Sequence, residues 1–157
     1  MENSRTFKIV MLGILCLMMP VCTQAQGVNI RGQVNTLQVG KNCVIVSAEG
    51  FGAKRDEALE DAQKEAVSKL LYEGLPGFNG GRHLAENQQN HWLRRFFEGR
   101  GAPYLNYIGG VMVEDEIVKT PKGEYYCRAI VKINYPSLVR SFKGQNILPK
   151  NYQIIYE

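Results

Sequence analysis

Side chains suited to metal or nucleophilic chemistry are scarce in this sequence of 157 residues, which contains two histidines and four cysteines. His83 and His91 have no cysteine or aspartate partner at a familiar ligand spacing, which argues against a zinc site. No serine stands in a nucleophile-elbow motif, and no phosphate-binding glycine loop precedes a Lys and a Ser or Thr. We therefore predict a protein that is not an enzyme and uses neither a metal nor a cofactor.

Clustered carboxylates are also few. Glu114, Asp115 and Glu116 are consecutive, but neighbouring residues of a strand point to opposite faces and cannot converge on one cation. Asp115 is the one acidic residue on an otherwise apolar strand face. The sequence leaves two interpretations of Asp115 open, a functional carboxylate or a hydrogen-bonded residue at the rim of the sheet.

The sequence lacks both a strong charge imbalance and a long apolar run. Its formal net charge of +4 indicates no particular polyanionic partner. The longest uncharged apolar run, Ile9 to Met19, is too short to span a bilayer comfortably. It follows the basic residues Arg5 and Lys8 and precedes the small-residue site Thr23-Gln24-Ala25, which is the order of a secretory signal peptide.

These features predict a signal peptide at residues 1–25, cleaved after Ala25, and export to the periplasm or the periphery of the outer membrane. The alternative is lipidation at Cys22, although Pro20 and Val21 before it fit a lipidation motif poorly. Export makes nucleic acid an unsuitable partner.

Two cysteines, Cys43 and Cys127, remain after cleavage. An even pair in an oxidising compartment favours a disulfide. Strand alternation argues against one, because Cys127 has the parity of the apolar face whereas Val44, not Cys43, has the inward parity of its own strand. Ile45 has the opposite parity, so the sequence leaves the disulfide open.

Residues 42–143 indicate a single α+β domain, preceded by an extended arm or edge strand at residues 26–41. A β-branched run from Cys43 ends at Gly50-Phe51-Gly52. An amphipathic helix follows, with small and apolar residues at helical spacing. These residues are Ala58, Leu59, Ala62, Ala66, Val67, Leu70 and Leu71.

A β-hairpin is predicted around the turn Pro121-Lys122-Gly123. Pairing Thr120 with Glu124 places Val113 opposite Val131 and matches apolar residues along one face. The predicted fold is therefore a small antiparallel or mixed sheet backed by a long amphipathic helix, in the order strand, helix, second helix and hairpin.

Two further segments could form an interaction surface. Residues 85–98 predict a second helix that is both basic and aromatic. This pattern favours a helix with its aromatic side chains in the core, and the alternative is a helix that lies on an anionic membrane surface. Residues 144–157 form an apolar tail that adds an edge strand to its own sheet or offers that strand to a partner. The candidate residues are Trp92, Arg94, Arg95, Phe96, Phe97, Tyr152, Ile154, Ile155 and Tyr156.

The spacing Val44-x-Val46-x-Ala48-x-Gly50-x-Gly52, the helical stripe through Ala62 and Ala66, and the two later strands form one pattern. This pattern resembles the N-terminal domain of flagellar assembly protein T and related small bacterial envelope lipoproteins. The resemblance covers roughly residues 43–142. It implies a helix-backed sheet in a periplasmic or outer-membrane-associated accessory protein, with no catalytic residues.

The leading hypothesis is an exported, non-catalytic structural or interaction module that assists assembly of an envelope complex with a protein partner. The first alternative is a protein that contacts the membrane surface through the basic aromatic helix at residues 85–98. The second is a small hydrolase or ligand-binding protein, which would require His91, Asp115 and a serine or a water site to converge in one cleft. The sequence does not indicate an oligomeric state.

Overall fold

The computed structural model describes residues 31–85 and 91–155, which form an α+β domain with five strands and three α-helices. The predicted signal peptide and residues 26–30 of the predicted arm lie outside the described residues. Two 3₁₀ turns are also present: Asn79–Gly81 lies between the first two helices, and Pro103–Tyr107 lies between the second helix and the third strand. The elements are β1 (Val34–Val39), β2 (Val44–Gly52), α1 (Arg55–Tyr72), α2 (His91–Glu98), β3 (Ile108–Val113), β4 (Val118–Lys119), β5 (Tyr125–Ile133) and α3 (Tyr135–Gly144).

The sheet has the order β1-β2-β5-β3, and β4 pairs with β5 along the same edge as β3. All of its strand pairs are antiparallel, which resolves the prediction of an antiparallel or mixed sheet. Part of the predicted arm forms the edge strand β1, which carries a bulge between Thr36 and Gln38. The outer edges of β1 and β3 are unpaired within the described part of the chain.

The predicted hairpin forms, but its register is correct only near the turn. Thr120 N donates to Glu124 O at 2.7 Å, as predicted. Val113, however, lies opposite Ala129 and not opposite Val131. Residues 114–117 contain two residues more than the facing segment of β5, so the pairing of β3 shifts by two, and Val111 and Val113 keep their predicted face of the sheet.

Helix α1 covers one face of the sheet, as the residue pattern predicts. Its alanine row, Ala58, Ala62 and Ala66, is fully buried. The inward residues of β2 and β5 meet this row because alternate strand residues share a face. These fully buried strand residues are Val44, Val46, Ala48, Cys127, Ala129, Val131 and Ile133.

A second group of buried residues joins α2, the second 3₁₀ turn and α3 on the helical side of the sheet. Phe96 lies at its centre, and five aromatic rings surround it with centroid distances of 5.1 to 6.4 Å. The prediction began this helix at Ala85, which is buried but not helical. The structure has helix from His91 to Glu98, and residues 86–90 lie outside the described part.

The C-terminal tail packs onto its own domain and contains no strand within residues 145–155, so the predicted edge strand is wrong there. The amides of Ile147 and Leu148 both donate to Phe142 O at the end of α3. This C-terminal cap turns Leu148 into the core, where only 6% of its surface is exposed. The tail is therefore part of the fold, and the domain extends beyond its predicted end at residue 143.

Cys43 and Cys127 are both free thiols. Cys127 faces α1 from a position opposite Gly50, at the far end of β5 from the Val44–Ile133 pair beside Cys43. Six strand residues span about 20 Å, well beyond the reach of a disulfide. Distance along the sheet therefore excludes a disulfide between them. Burial raises the pKa of the Cys127 thiol.

Candidate functional site

The exposed edge of β3 is the first surface that could bind a partner. Glu114 N donates to Arg128 O of β5 at 2.8 Å. Because the direction of the backbone groups alternates along a strand, the N–H and C=O groups of Val111 and Val113 point to the unpaired side. These main-chain donors and acceptors have no partner among residues 31–85 and 91–155.

The side chains along this edge are apolar. Val111 and Val113 lie on the helix-facing side with 37% and 39% of their surface exposed, because α1 does not reach far enough to cover β3. Met112 points to the opposite face and is 60% exposed. No charged residue or proline interrupts Ile108–Val113. The sequence prediction did not identify this surface, although the absence of charge in this strand was visible.

A cleft between the β1–β2 turn, α3 and the tail is the second surface. It has a volume of 660 Å³. Tyr135 fixes its geometry, because its hydroxyl donates to Lys41 O of the turn at 2.7 Å and lies 3.1 Å from Gly40 O. Lys143 of α3 donates to Tyr152 O, which attaches the tail to the other wall. The cleft is therefore assembled from three separate parts of the chain.

Asn79 holds the tail from the opposite direction. Its side chain is 99% buried and donates to Arg82 O and to the Tyr152 hydroxyl, at 3.2 and 2.7 Å. Its Oδ1 accepts a hydrogen bond from Ile155 N at 3.2 Å. All these contacts come from a residue with φ of +54°, a backbone conformation that asparagine tolerates better than most residues.

The predicted residues of α2 divide between core and surface. Phe96 and Phe97 are buried, so placing these two residues on an interaction surface was wrong, whereas Trp92 is half-buried with its ring against Phe142. Arg94 and Arg95 are exposed. The helix thus has the favoured form, with its aromatic side chains in the core.

The predicted residues of the tail surround the cleft. Tyr152 and Ile154 line it, and Ile155 next to it is 44% exposed. Tyr156 lies outside the described residues. The sequence prediction missed the cleft's cationic side chains, although the spacing of Arg140 and Lys143 on one helix placed them on a common face.

The uncovered face of the sheet carries an ion-pair network. Glu49 Oε1 accepts from the Tyr126 hydroxyl at 2.9 Å and from Arg128 at 3.1 Å. Asp115 lies 3.5 Å from the other side of the Arg128 guanidinium. Burial raises the pKa of Glu49, but hydrogen bonds from Tyr126, the Gln33 amide and Arg128 outweigh this effect and hold the pKa below its usual value.

Asp115 is therefore an ion-paired residue at the rim of the sheet, on its uncovered face, so its predicted position on the apolar face was wrong. His91 is exposed on α2, which packs on the helical side. The structure does not bring these two residues together, so they do not form the shared cleft that a hydrolase would require.

Glu65 on α1 is a buried carboxyl group with only part of its hydrogen-bonding capacity satisfied. Only 5% of its surface is exposed, and its Oε2 accepts no hydrogen bond from a described residue. Burial raises the pKa of Glu65 to about 7, the Arg31 amide bonded to Oε1 opposes this shift, and Asp61 adds to it.

Replacing Glu65 with glutamine is expected to make the protein more stable above pH 7 and to flatten its pH dependence. Between pH 4.5 and 7 the folded state holds a proton on Glu65 that the unfolded state releases, so stability falls as pH rises. Over this range the free energy of unfolding falls by at most about 3 kcal/mol, and it falls no further on this account above pH 7. Urea unfolding at pH 4.5, 6 and 8 measures it.

Glu49→Gln is the matched control for this prediction. Since the folded-state pKa of Glu49 is lowered, its stabilising contribution is present at neutral pH and disappears as pH falls below the usual range of a glutamate. The Glu49→Gln substitution should therefore change the pH dependence of stability at acidic pH and not between pH 5 and 8. An unchanged slope between pH 5 and 8 in the Glu65 variant would contradict the assignment.

Neither a protein-family model, a curated protein nor a solved structure matches this chain. The resemblance stated from the sequence stays a prediction. Among the helices of the described residues, none has the length and hydrophobicity to cross a membrane. Within residues 31–85 and 91–155, no three His, Cys, Asp or Glu side chains are grouped to hold a metal ion.

Proposed function

We propose that this protein is an exported, non-catalytic interaction module that assists assembly of a bacterial envelope complex. The observation that carries the proposal is the unpaired, uncharged edge of β3 with its exposed apolar side chains. The export signal predicted at residues 1–25 and the resemblance to envelope accessory proteins support the compartment.

The edge of β3 has no charged residue or proline along Ile108–Val113. The edges that stable proteins expose usually carry lysine, proline or bulges that prevent pairing with other chains. Both edges carry a bulge, between Thr36 and Gln38 in β1 and between Ile108 and Gly110 in β3, but Gly110 to Val113 pair regularly with β5 and contain no lysine or proline. We infer that the occupant of the β3 edge is an extended segment of a partner protein, which adds a strand through main-chain hydrogen bonds.

The sharpest test removes one outward donor while leaving the sheet intact. Val111→Pro deletes the outward N–H and places a ring on the free edge, and the preceding Gly110 has no Cβ for that ring to meet. We expect recovery of the cross-linked complex from envelopes of the native host to fall about tenfold. Val111→Thr keeps the N–H and the branched side chain and is expected to retain the complex.

A photo-reactive amino acid at position 112 locates the partner directly. Met112 lies on the β3 edge, and Leu37, which is 53% exposed, provides a control position on the β1 edge. We expect one defined product from position 112 and none from position 37. Equal products from both positions, or an unaltered complex in the proline variant, would refute strand addition at β3.

The structure gives less support to a membrane-surface function through α2. The side chains that would enter the bilayer, Phe96 and Phe97, are buried in the core. Arg94 and Arg95 remain exposed, but charge without an accessible apolar face gives only weak binding. Strand addition is therefore the better-supported form of the proposal.

A further inference from the structure

We infer that the cleft between the β1–β2 turn, α3 and the tail binds a small amphiphile with a phosphate head group. This inference does not depend on strand addition at β3, because the cleft lies beside the β1–β2 turn and draws no residue from β3. Its volume of 660 Å³ is in the range of small-molecule sites.

The charge of the cleft defines the head group. Lys41, Arg140 and Lys143 line it, and no acidic residue is present among its described lining residues. Neither Lys41 nor Arg140 forms an ion pair with a described residue. Lys143 uses one donor on Tyr152 O and keeps two others. An anion in the cleft would therefore meet three cationic side chains.

Phosphate fits this arrangement better than a carboxylate does. A phosphate monoester carries a charge between about −1.5 and −2 near neutral pH, which balances more of the three positive charges than a single carboxylate can. It also presents three acceptor oxygens, and a guanidinium such as that of Arg140 can donate two parallel hydrogen bonds to them.

The rest of the lining defines the body of the ligand. Pro136, Val139 and Ile154 supply apolar surface next to the cations. The Tyr135 hydroxyl is bonded to the β1–β2 turn and is not required for binding. A short alkyl group attached to the phosphate would cover this apolar surface, whereas inorganic phosphate would leave it in contact with water.

The experiment titrates the ¹⁵N-labelled mature protein with hexyl phosphate and follows amide chemical shifts. We expect saturable shifts at Lys41, Val139, Arg140 and Ile154. Inorganic phosphate and hexanoate are expected to bind at least about tenfold more weakly, since each lacks one half of the recognised chemistry. A short-chain phosphatidic acid tests whether a lipid can supply the same head group.

Lys41→Gln/Arg140→Gln is expected to weaken hexyl phosphate binding at least about tenfold. Lys122→Gln/Arg94→Gln removes the same charge from exposed positions outside the cleft and is expected to bind like the wild type. Equal weakening in both variants, or shifts of wild-type amides away from the cleft, would overturn the inference. Absence of saturable shifts in the wild type would do so without any variant.

Discussion

Replacing Gly50 with alanine is expected to lower the free energy of unfolding by about 3 kcal/mol. A Cβ at this position would lie 2.2 Å from both Ala58 O and Ala62 N of α1. Both are backbone atoms, so no side-chain rotation can relieve the clash. The helix would have to move away from the sheet and lose contacts along its alanine row. Urea unfolding of the two proteins measures the difference.

Gly110→Ala is the control for this prediction. Gly110 also lies in a strand, but an added Cβ would meet nothing within 4 Å. Its replacement should change stability by no more than about 0.5 kcal/mol. If the Gly50 and Gly110 variants were equally stable, close approach of α1 to β2 would not be what requires glycine at position 50.

The elements that the sequence predicts correctly are those whose burial follows from local periodicity. In β2, alternation places Val44, Val46 and Ala48 on the helix-facing side, and all three are fully buried. The alanine row of α1 lies on the face that meets them. A single helix packing on one face of a sheet gives each element one buried side, so a period of 2 or 3.6 residues is sufficient to identify it.

The register of the hairpin could not be predicted because side chains from distant parts of the chain hold the extra residues. Ser47 Oγ donates to Glu114 Oε2 at 2.8 Å, and Asp115 pairs with Arg128 at 3.5 Å. These contacts stabilise an interruption between β3 and β4. Counting residue pairs outward from the hairpin turn cannot reveal these contacts, since Ser47 belongs to another strand.

The candidate surfaces depend on the order of strands and on long-range contacts, neither of which local patterns specify. Whether β3 is an edge strand is decided by β5 pairing with β2 on its other side. The cleft exists because Asn79, 73 residues before Tyr152, bonds to the tail. An apolar tail predicts burial correctly, but it does not distinguish a strand from the irregular segment that carries Leu148 into the core.

Phe96→Ala is expected to destabilise the protein by about 3 to 5 kcal/mol, the usual cost of removing a fully packed phenylalanine. Only 2% of the Phe96 surface is exposed. Its ring connects α2 to the second 3₁₀ turn and to α3, so the cavity would weaken several contacts together. The rings in contact with it are those of Trp92, Phe97, Tyr104, Tyr107 and Phe142. Chemical denaturation monitored by circular dichroism measures the loss.

The same variant separates core packing from membrane binding. If Phe96 entered a bilayer, its replacement would weaken sedimentation with anionic liposomes while stability in solution stayed close to that of the wild type. Core packing predicts the opposite, a large loss of stability in the absence of lipid. Arg94→Gln/Arg95→Gln is the control, because these exposed residues should affect lipid binding and leave stability within about 0.5 kcal/mol. A stable Phe96 variant with weakened liposome binding would restore the membrane hypothesis, since burial would then not be the reason for the aromatic face of α2.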